Sequence, residues 1–158
     1  MLHVVVVLKP AMEEAMIYKK IKLDVPYENA GLSSEGCAAV LTTYVADTSP
    51  EIGRKGRTAM LICPGGGYDF VSDREGEPIA IAFLAHGVQC FVLNYTVQKA
   101  FPTNLLEASV AMKYIRDNAE EFDIDPDKVY CMGFSAGGHL AGSLAVHWNK
   151  PFVKDALG

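Results

Sequence analysis

The stretch 129–141, in which a serine lies between two glycines, constrains the fold of this chain more than any other. An apolar run typical of a strand leads into Gly-x-Ser-x-Gly at 133–137, and small and apolar residues then follow at helical spacing. The turn must be so tight that it strains the serine backbone. Gly133 and Gly137 are needed because a Cβ at either position would collide with the neighbouring strand or helix. The stretch therefore predicts a strand, a sharp turn and a helix.

Such a turn would expose the hydroxyl of Ser135 at the start of the helix. The first N–H groups of a helix have no partner inside the helix, and its positive dipole end points at the same place, where an oxyanion would form. We therefore interpret Ser135 as a nucleophile. The alternative is that the serine only caps the helix, which a short motif on its own leaves open.

A second stretch, 58–68, is an apolar strand that ends in three consecutive glycines. Consecutive glycines let backbone N–H groups turn toward a ligand at close range, as an oxyanion hole requires. This glycine-rich loop precedes the serine turn in the chain and follows an early strand. The two stretches support the same interpretation, which makes the capping alternative weaker.

Together the two stretches resemble the α/β-hydrolase superfamily, and within it the esterase and lipase branch. The most similar group is the small acetyl-xylan-esterase-like carbohydrate esterases, in which Pro-Gly-Gly-Gly-Tyr, here 64–68, occurs with Gly-Phe-Ser-Ala-Gly-Gly-His-Leu, here 133–140. Pro64 replaces the histidine of the lipase branch's His-Gly-Gly-Gly. The resemblance implies an extension at 1–16 and the N-terminal portion of an α/β-hydrolase domain at 17–158.

This resemblance also implies roles for backbone groups around the serine. Ser135 would attack a carbonyl carbon, and the N–H groups of Ala136 and of Gly66 or Gly67 would hold the oxyanion. No cofactor and no metal are implied, and the four cysteines match no zinc spacing. The expected partner is a small-molecule ester substrate.

Strands that alternate with helices predict an α/β fold. We expect a three-layer α/β/α sandwich with about five strands, in which a mostly parallel sheet has an antiparallel edge strand at its N-terminal side. The segments 17–23 and 38–45 predict the antiparallel pair, and the apolar run 88–95 predicts a parallel strand covered on both faces. Asn104 with Glu107 three residues later resembles a capping box at a helix start.

The acid and base that the superfamily places after the serine map onto no position of this chain. After 148 the only carboxylate is Asp155, and no histidine follows His147. We therefore expect an incomplete α/β-hydrolase fold that is inactive as this chain. His139 is an alternative base, but it would have to bend back across the helix start to reach Ser135, so a structural role is preferred.

Three functions follow from these observations. The leading one is a serine esterase for short acyl esters, including acetyl groups on carbohydrates. A serine peptidase of the prolyl-oligopeptidase type is the second, although no propeller-like repeats precede the domain. The third is a catalytically silent chain that binds or oligomerises, which the missing base favours.

Composition narrows the partners and the compartment. The 158 residues suffice for one domain, and a net charge of −5 without a basic patch argues against nucleic-acid binding. The apolar run 4–8 is too short to span a membrane, and free cysteines suit the cytoplasm. If strands normally lie beyond the serine strand, its apolar edge is exposed, and we expect a homo-oligomer through that edge.

Overall fold

A computed structural model describes residues 16–48, 51 and 55–158 of the chain. Within this part, six strands form one mixed sheet and four α-helices pack against it. The strands are β1 (Met16–Ile17), β2 (Lys20–Lys22), β3 (Val40–Ala46), β4 (Arg57–Cys63), β5 (Gln89–Asn94) and β6 (Ile124–Gly133). The helices are α1 (Glu77–Ala85), α2 (Thr103–Asp117), α3 (Ala136–His147) and α4 (Pro151–Leu157). The extension expected at 1–16 lies outside the described residues except for Met16, which begins β1.

The strands lie in the order β1-β3-β5-β4-β6, and β2 also pairs with β3. β4 is parallel to β5 and to β6, whereas β1, β2 and β5 run antiparallel to β3. The predicted α/β class and the antiparallel N-terminal strands are confirmed, and the antiparallel part is larger than one edge strand. β6, which leads to the serine turn, pairs only with β4 among the described strands.

Alternation along β4 explains the three layers. Leu61 and Cys63 point into the cluster that includes residues of α2 and α3, whereas Met60 and Ile62 point into the cluster that includes α1. Side chains of a strand alternate between its two faces, so an uninterrupted apolar run is what a strand covered on both sides needs. Burial of each large aliphatic side chain stabilises the folded state by about 1.5–3 kcal/mol. This packing on both faces fixes the position of β4 and of the glycine loop at its end.

The capping box predicted at Asn104 is wrong. α2 begins at Thr103, one residue before Asn104, and has no side-chain cap. Instead, the Asn104 side chain donates to the carbonyl oxygen of Thr96. Glu107 is fully buried, and its carboxylate accepts hydrogen bonds from the Tyr27 hydroxyl and the Thr96 N–H, each at 2.8 Å. Both side chains therefore hold the loop after β5 instead of the helix start.

Burial raises the pKa of the Glu107 carboxyl above its ordinary value, and the hydrogen bonds from Thr96 and Tyr27 oppose this shift only in part. Burial and the neighbouring Glu107 likewise raise the pKa of Tyr27. A raised carboxyl pKa means that the folded state binds this proton more tightly than the unfolded chain does. Glu107 therefore favours folding more at acidic pH than at neutral pH.

Glu107→Gln should remove this pH dependence. The contribution of Glu107 to the free energy of unfolding should fall as pH rises from the ordinary pKa of 4.5 through the raised folded-state pKa. Urea unfolding of wild type and variant at a series of pH values measures the difference directly. We expect wild type to gain stability relative to the variant as the solution is acidified toward pH 4.5; a difference that stays constant would contradict the assignment.

Candidate active site

The turn between β6 and α3 has the strained geometry that the sequence predicts. Ser135 has φ 48° and ψ −118°, a conformation that residues with a side chain rarely adopt. Its side chain is exposed and makes no capping hydrogen bond to α3. The alternative that Ser135 serves as a helix cap is therefore wrong.

Main-chain contacts enforce this turn. A Cβ on Gly133 would lie 2.1 Å from the carbonyl oxygen of Gly137, and a Cβ on Gly137 would lie 2.0 Å from that of Cys63. Phe134 N–H donates to Cys63 O at 3.2 Å, and Gly137 N–H donates to Phe134 O at 2.7 Å. The first turn of α3 thus packs directly against the backbone at the end of β4, which only glycine permits.

The three consecutive glycines form a second tight turn directly after β4. Gly66 has φ +129° and Gly67 has φ +66°, and a Cβ on Gly66 would lie 2.0 Å from Phe70 O. The Gly66 carbonyl oxygen accepts hydrogen bonds from the N–H groups of Asp69 and Phe70, at 3.0 and 3.2 Å. Glycine is therefore required here by backbone conformation and by close approach.

The structure brings the glycine loop and the serine turn into contact. A Cβ on Gly65 would lie 2.7 Å from Phe134 O and 3.1 Å from Ser135 Cβ. Within the described residues, the N–H groups of Gly66, Gly67 and Ala136 donate to no other group of the protein. These three groups and Ser135 therefore belong to two turns that pack on each other, and the N–H groups are free to bind a ligand.

Glu75 borders the same site. From the sequence, the polar segment 69–77 is expected to line the mouth of the site, but nothing in it singles out Glu75. Its Oε2 accepts a hydrogen bond from Gly65 N–H at 2.7 Å. The residue lies in the 3₁₀ turn Asp73–Glu75, ten positions after the glycine. No local sequence signal connects a carboxylate to a backbone group at that separation.

His139 pairs with a residue other than the serine. Its Nδ1 lies 2.8 Å from the Tyr68 hydroxyl, and the two rings meet edge to face at 6.0 Å. Burial raises the pKa of Tyr68, so its hydroxyl is neutral at physiological pH and can donate to Nδ1. In the part of the chain that the structure describes, the His139 main-chain N–H donates to Ser135 O at 3.0 Å, but no hydrogen bond joins the His139 side chain to Ser135. The geometry thus agrees with the structural role preferred for His139.

A cavity of about 240 Å³ begins beside Tyr68 and His139. Its walls include Lys99, Phe101 and Ser143. His139 and Ser143 follow Ser135 at four-residue intervals in α3 and so share its face, with a rise of about 6 Å per interval. The cavity therefore extends along the helix face that begins at the serine. Two cavities of about 470 Å³ lie elsewhere, one beside α1 and one along β6, and Ser135 is not a lining residue of any of these three cavities.

Two features are absent from the described residues. No group of three or more histidine, cysteine, aspartate or glutamate side chains there could hold a metal ion. None of the helices described here is both long and apolar enough to cross a bilayer.

Comparison with known proteins identifies the family. A family model described as BD-FAE matches residues 48–157, a span that includes both the glycine loop and the serine turn. The chain belongs to the BD-FAE family. This is a hydrolase family, and the resemblance to α/β-hydrolases stated above is confirmed.

Individual relatives agree with this assignment. This BD-FAE chain is 44% identical over 104 residues to an endo-1,4-β-xylanase B of Butyrivibrio fibrisolvens, and 34% identical over 91 residues to an acetylxylan esterase of Xylanibacter ruminicola. The crystal structure of MGS-M1, an α/β hydrolase from a Medee basin deep-sea metagenome library, matches 86% of the chain with 45% identity and a TM-score of 0.76. The structure of the carboxylesterase Cest-2923 from Lactobacillus plantarum matches 90% of this chain and 50% of that chain with 26% identity and a TM-score of 0.73.

The match spans only part of each relative. It covers 63% of this chain and 16% of the xylanase, and 55% of this chain and 18% of the acetylxylan esterase. Of the MGS-M1 chain, 53% is covered. The BD-FAE chain thus spans about half the length of this solved relative and less of the two curated ones.

Two alanine substitutions in α3 test the main-chain contact of this BD-FAE domain. Gly137→Ala should lower the free energy of unfolding by about 2–3 kcal/mol, because its Cβ would overlap a backbone oxygen that cannot rotate away. Gly142→Ala is the matched control, since nothing lies within 4 Å of a Cβ there, and it should gain about 0.5–1 kcal/mol from helix propensity. Urea unfolding measures both. Equal stability of the two variants would refute the contact.

Proposed function

We propose that this chain carries the nucleophile and the oxyanion donors of a serine carboxylic-ester hydrolase. The observation that carries the proposal is a strained, exposed Ser135 packed against a glycine loop in which the N–H groups of Gly66 and Gly67 have no partner among the described residues. The esterases among the relatives support the same reaction class. Strain of this kind occurs where the surrounding structure determines it and is concentrated at functional sites.

In the proposed reaction, Ser135 Oγ attacks the carbonyl carbon of the ester while a base takes its proton. The negative charge that forms on the carbonyl oxygen is stabilised by the N–H groups of Gly66, Gly67 and Ala136, and the loss of one such donor typically costs about 3 kcal/mol in the transition state. The alcohol then leaves with a proton, and water hydrolyses the acyl-serine to the acid and free serine. We assign the base to no residue of this chain.

We propose short acyl esters, including acetyl groups on carbohydrates, as the substrate class. A cavity of about 240 Å³ is below the usual range of about 300–1,000 Å³ for small-molecule sites and therefore favours a small group. Phe101 offers an exposed aromatic face, and Lys99 and Ser143 offer polar groups in the same cavity, a combination that suits a sugar ring. The name of the matched acetylxylan esterase indicates a substrate of this class.

The other two functions differ in their support. The relatives named above give the peptidase alternative no support, because they are esterases, hydrolases and a xylanase. The non-catalytic alternative has one observation in its favour: no side chain of the described residues forms a hydrogen bond with Ser135 Oγ. A test of whether Ser135 is activated therefore separates the esterase function from the non-catalytic alternative.

Covalent labelling by a fluorophosphonate tests the nucleophile. Labelling stops at the covalent adduct and needs no turnover. Although this chain is expected to be inactive in hydrolysis, we therefore expect intact-mass spectrometry to show one adduct on wild type, which Ser135→Ala abolishes. Ser33→Ala is the control, because Ser33 is exposed before β3, is no part of the proposed site and should leave labelling unchanged. An adduct that survives Ser135→Ala would refute the assignment, and a folded wild type that never reacts would favour the non-catalytic alternative.

For the compartment we propose the reducing cytoplasm. The support is that all four cysteines are free, with Cys63 and Cys90 buried in strands β4 and β5. Buried free cysteines act as small apolar residues. Burial raises the pKa of the Cys90 thiol to about 12, which keeps it protonated and unreactive.

We also propose self-association through the outer edge of β6. That edge has no partner among the described strands, and Tyr130 of β6 and Trp148 after α3 are 55% and 61% exposed. Unpaired backbone groups beside exposed apolar side chains favour pairing with a second strand, and a two-fold axis would pair β6 with its copy.

Light scattering at tens of micromolar tests this association. Wild type should have twice the chain's mass of 17.1 kDa, and Tyr130→Lys should shift the sample toward monomer because it places a charge at the edge. Ile81→Lys is the control, since Ile81 is 54% exposed on α1 instead of β6. A stable wild-type monomer at these concentrations would reject the proposal.

A further inference from the structure

Glu75 is the ionisable side chain that contacts the glycine next to the proposed nucleophile. A Cβ on Gly65 would lie 2.7 Å from Glu75 Oε2 and 3.1 Å from Ser135 Cβ. A carboxylate oxygen of Glu75 and the Cβ of Ser135 therefore both lie close to the same point beside Gly65. The reaction described above gives this carboxylate no role.

Both backbone polar groups of Gly65 bind to the segment that carries Glu75. The Gly65 N–H donates to Glu75 Oε2 at 2.7 Å, and the Gly65 carbonyl oxygen accepts from the N–H of Ser72 at 2.9 Å. Ser72 is buried. Gly65 can therefore donate nothing to a ligand, and the free N–H groups of the loop begin at Gly66.

The segment itself is held on the sheet. Glu75 N–H donates to Ser72 O at 3.1 Å, which closes the 3₁₀ turn. A Cβ on the following Gly76 would lie 3.2 Å from a methyl carbon of Val92 in β5, so the backbone packs closely there. Gly76 O then accepts from Ala80 N–H at 3.0 Å as α1 begins. Glu75 thus projects from a support that is fixed at both ends.

We propose that Glu75 is a positioning residue for the oxyanion loop. By accepting the Gly65 N–H, its carboxylate fixes the first glycine of a flexible triplet and so holds the N–H groups of Gly66 and Gly67 unpaired beside Ser135. A charged acceptor binds an N–H about twice as strongly as a neutral one. Donors that stabilise an oxyanion must be oriented before the charge forms, and three consecutive glycines alone cannot provide that order. This inference rests on the proposed function.

Two substitutions separate positioning from proton transfer. Glu75→Gln keeps a side-chain oxygen that can accept the Gly65 N–H but cannot act as a base, whereas Glu75→Ala removes the acceptor. Asp73→Asn is the matched control, because Asp73 is exposed in the same turn and the change removes the same charge. Circular dichroism should show that all three variants are folded.

The first measurement does not depend on hydrolysis. In ¹H–¹⁵N spectra of the whole chain, the Gly65 amide proton should resonate downfield in wild type, less so in Glu75→Gln, and upfield in Glu75→Ala. Its exchange with solvent should accelerate about tenfold in Glu75→Ala, as the loss of about 1.4 kcal/mol of hydrogen bonding implies. Asp73→Asn should leave the Gly65 amide unchanged. If the chemical shift and the exchange rate of the Gly65 amide are the same in wild type and Glu75→Ala, the proposal is overturned.

The second measurement is the rate of fluorophosphonate labelling at Ser135. Glu75→Ala should label about tenfold more slowly than wild type, Glu75→Gln within about threefold and Asp73→Asn at the wild-type rate. Equal rates for wild type and Glu75→Ala would overturn the proposal, and a Glu75→Gln rate as low as that of Glu75→Ala would identify Glu75 as a base instead. If wild type does not label, the proposed function fails and the amide measurement alone decides the role of Glu75.

Discussion

The contact of the first turn of α3 with the end of β4 is the constraint on which the rest of the site depends. Gly137 lies so close to the carbonyl oxygen of Cys63 that a single Cβ would separate the two elements. Because the contact joins backbone to backbone, it sets the position of the serine turn relative to the glycine loop without help from a rotatable side chain. Side chains of β4 are buried alternately on the two faces of the sheet, so the end of β4 is also fixed relative to both helical layers.

Much of the site could be predicted from the sequence because its backbone conformations restrict residue type. Gly66 and Gly67 have positive φ, and the contacts at Gly133 and Gly137 exclude a Cβ. Each of these positions therefore requires glycine, which can be recognised in the sequence. The strained Ser135 is recognisable by its two glycine neighbours. The long apolar run of β4 likewise reveals a strand that is covered on both faces.

The polar partners could not be predicted because they are distant in sequence. Glu107 follows Asn104 at the spacing of a capping box, yet its hydrogen-bond partner Tyr27 lies 80 positions away. The three-residue spacing of Asn104 and Glu107 is compatible with a capping box at a helix start. It is equally compatible with a buried carboxylate that binds a distant residue. Glu75 and Gly65 are ten positions apart across a loop that has no periodic pattern. Side-chain hydrogen bonds of this kind follow from the fold and not from local sequence.

The unpaired donors around Ser135 are main-chain N–H groups, so amino-acid substitutions affect them differently from side-chain donors. No exchange of a side chain deletes a backbone N–H, except replacement by proline. Residues that line the adjoining cavity, such as Phe101 and Ser143, can therefore vary freely with respect to anion binding. In the proposed function, substrate preference and charge stabilisation would thus reside in separate parts of the molecule, so that substitutions could alter the first and leave the second intact.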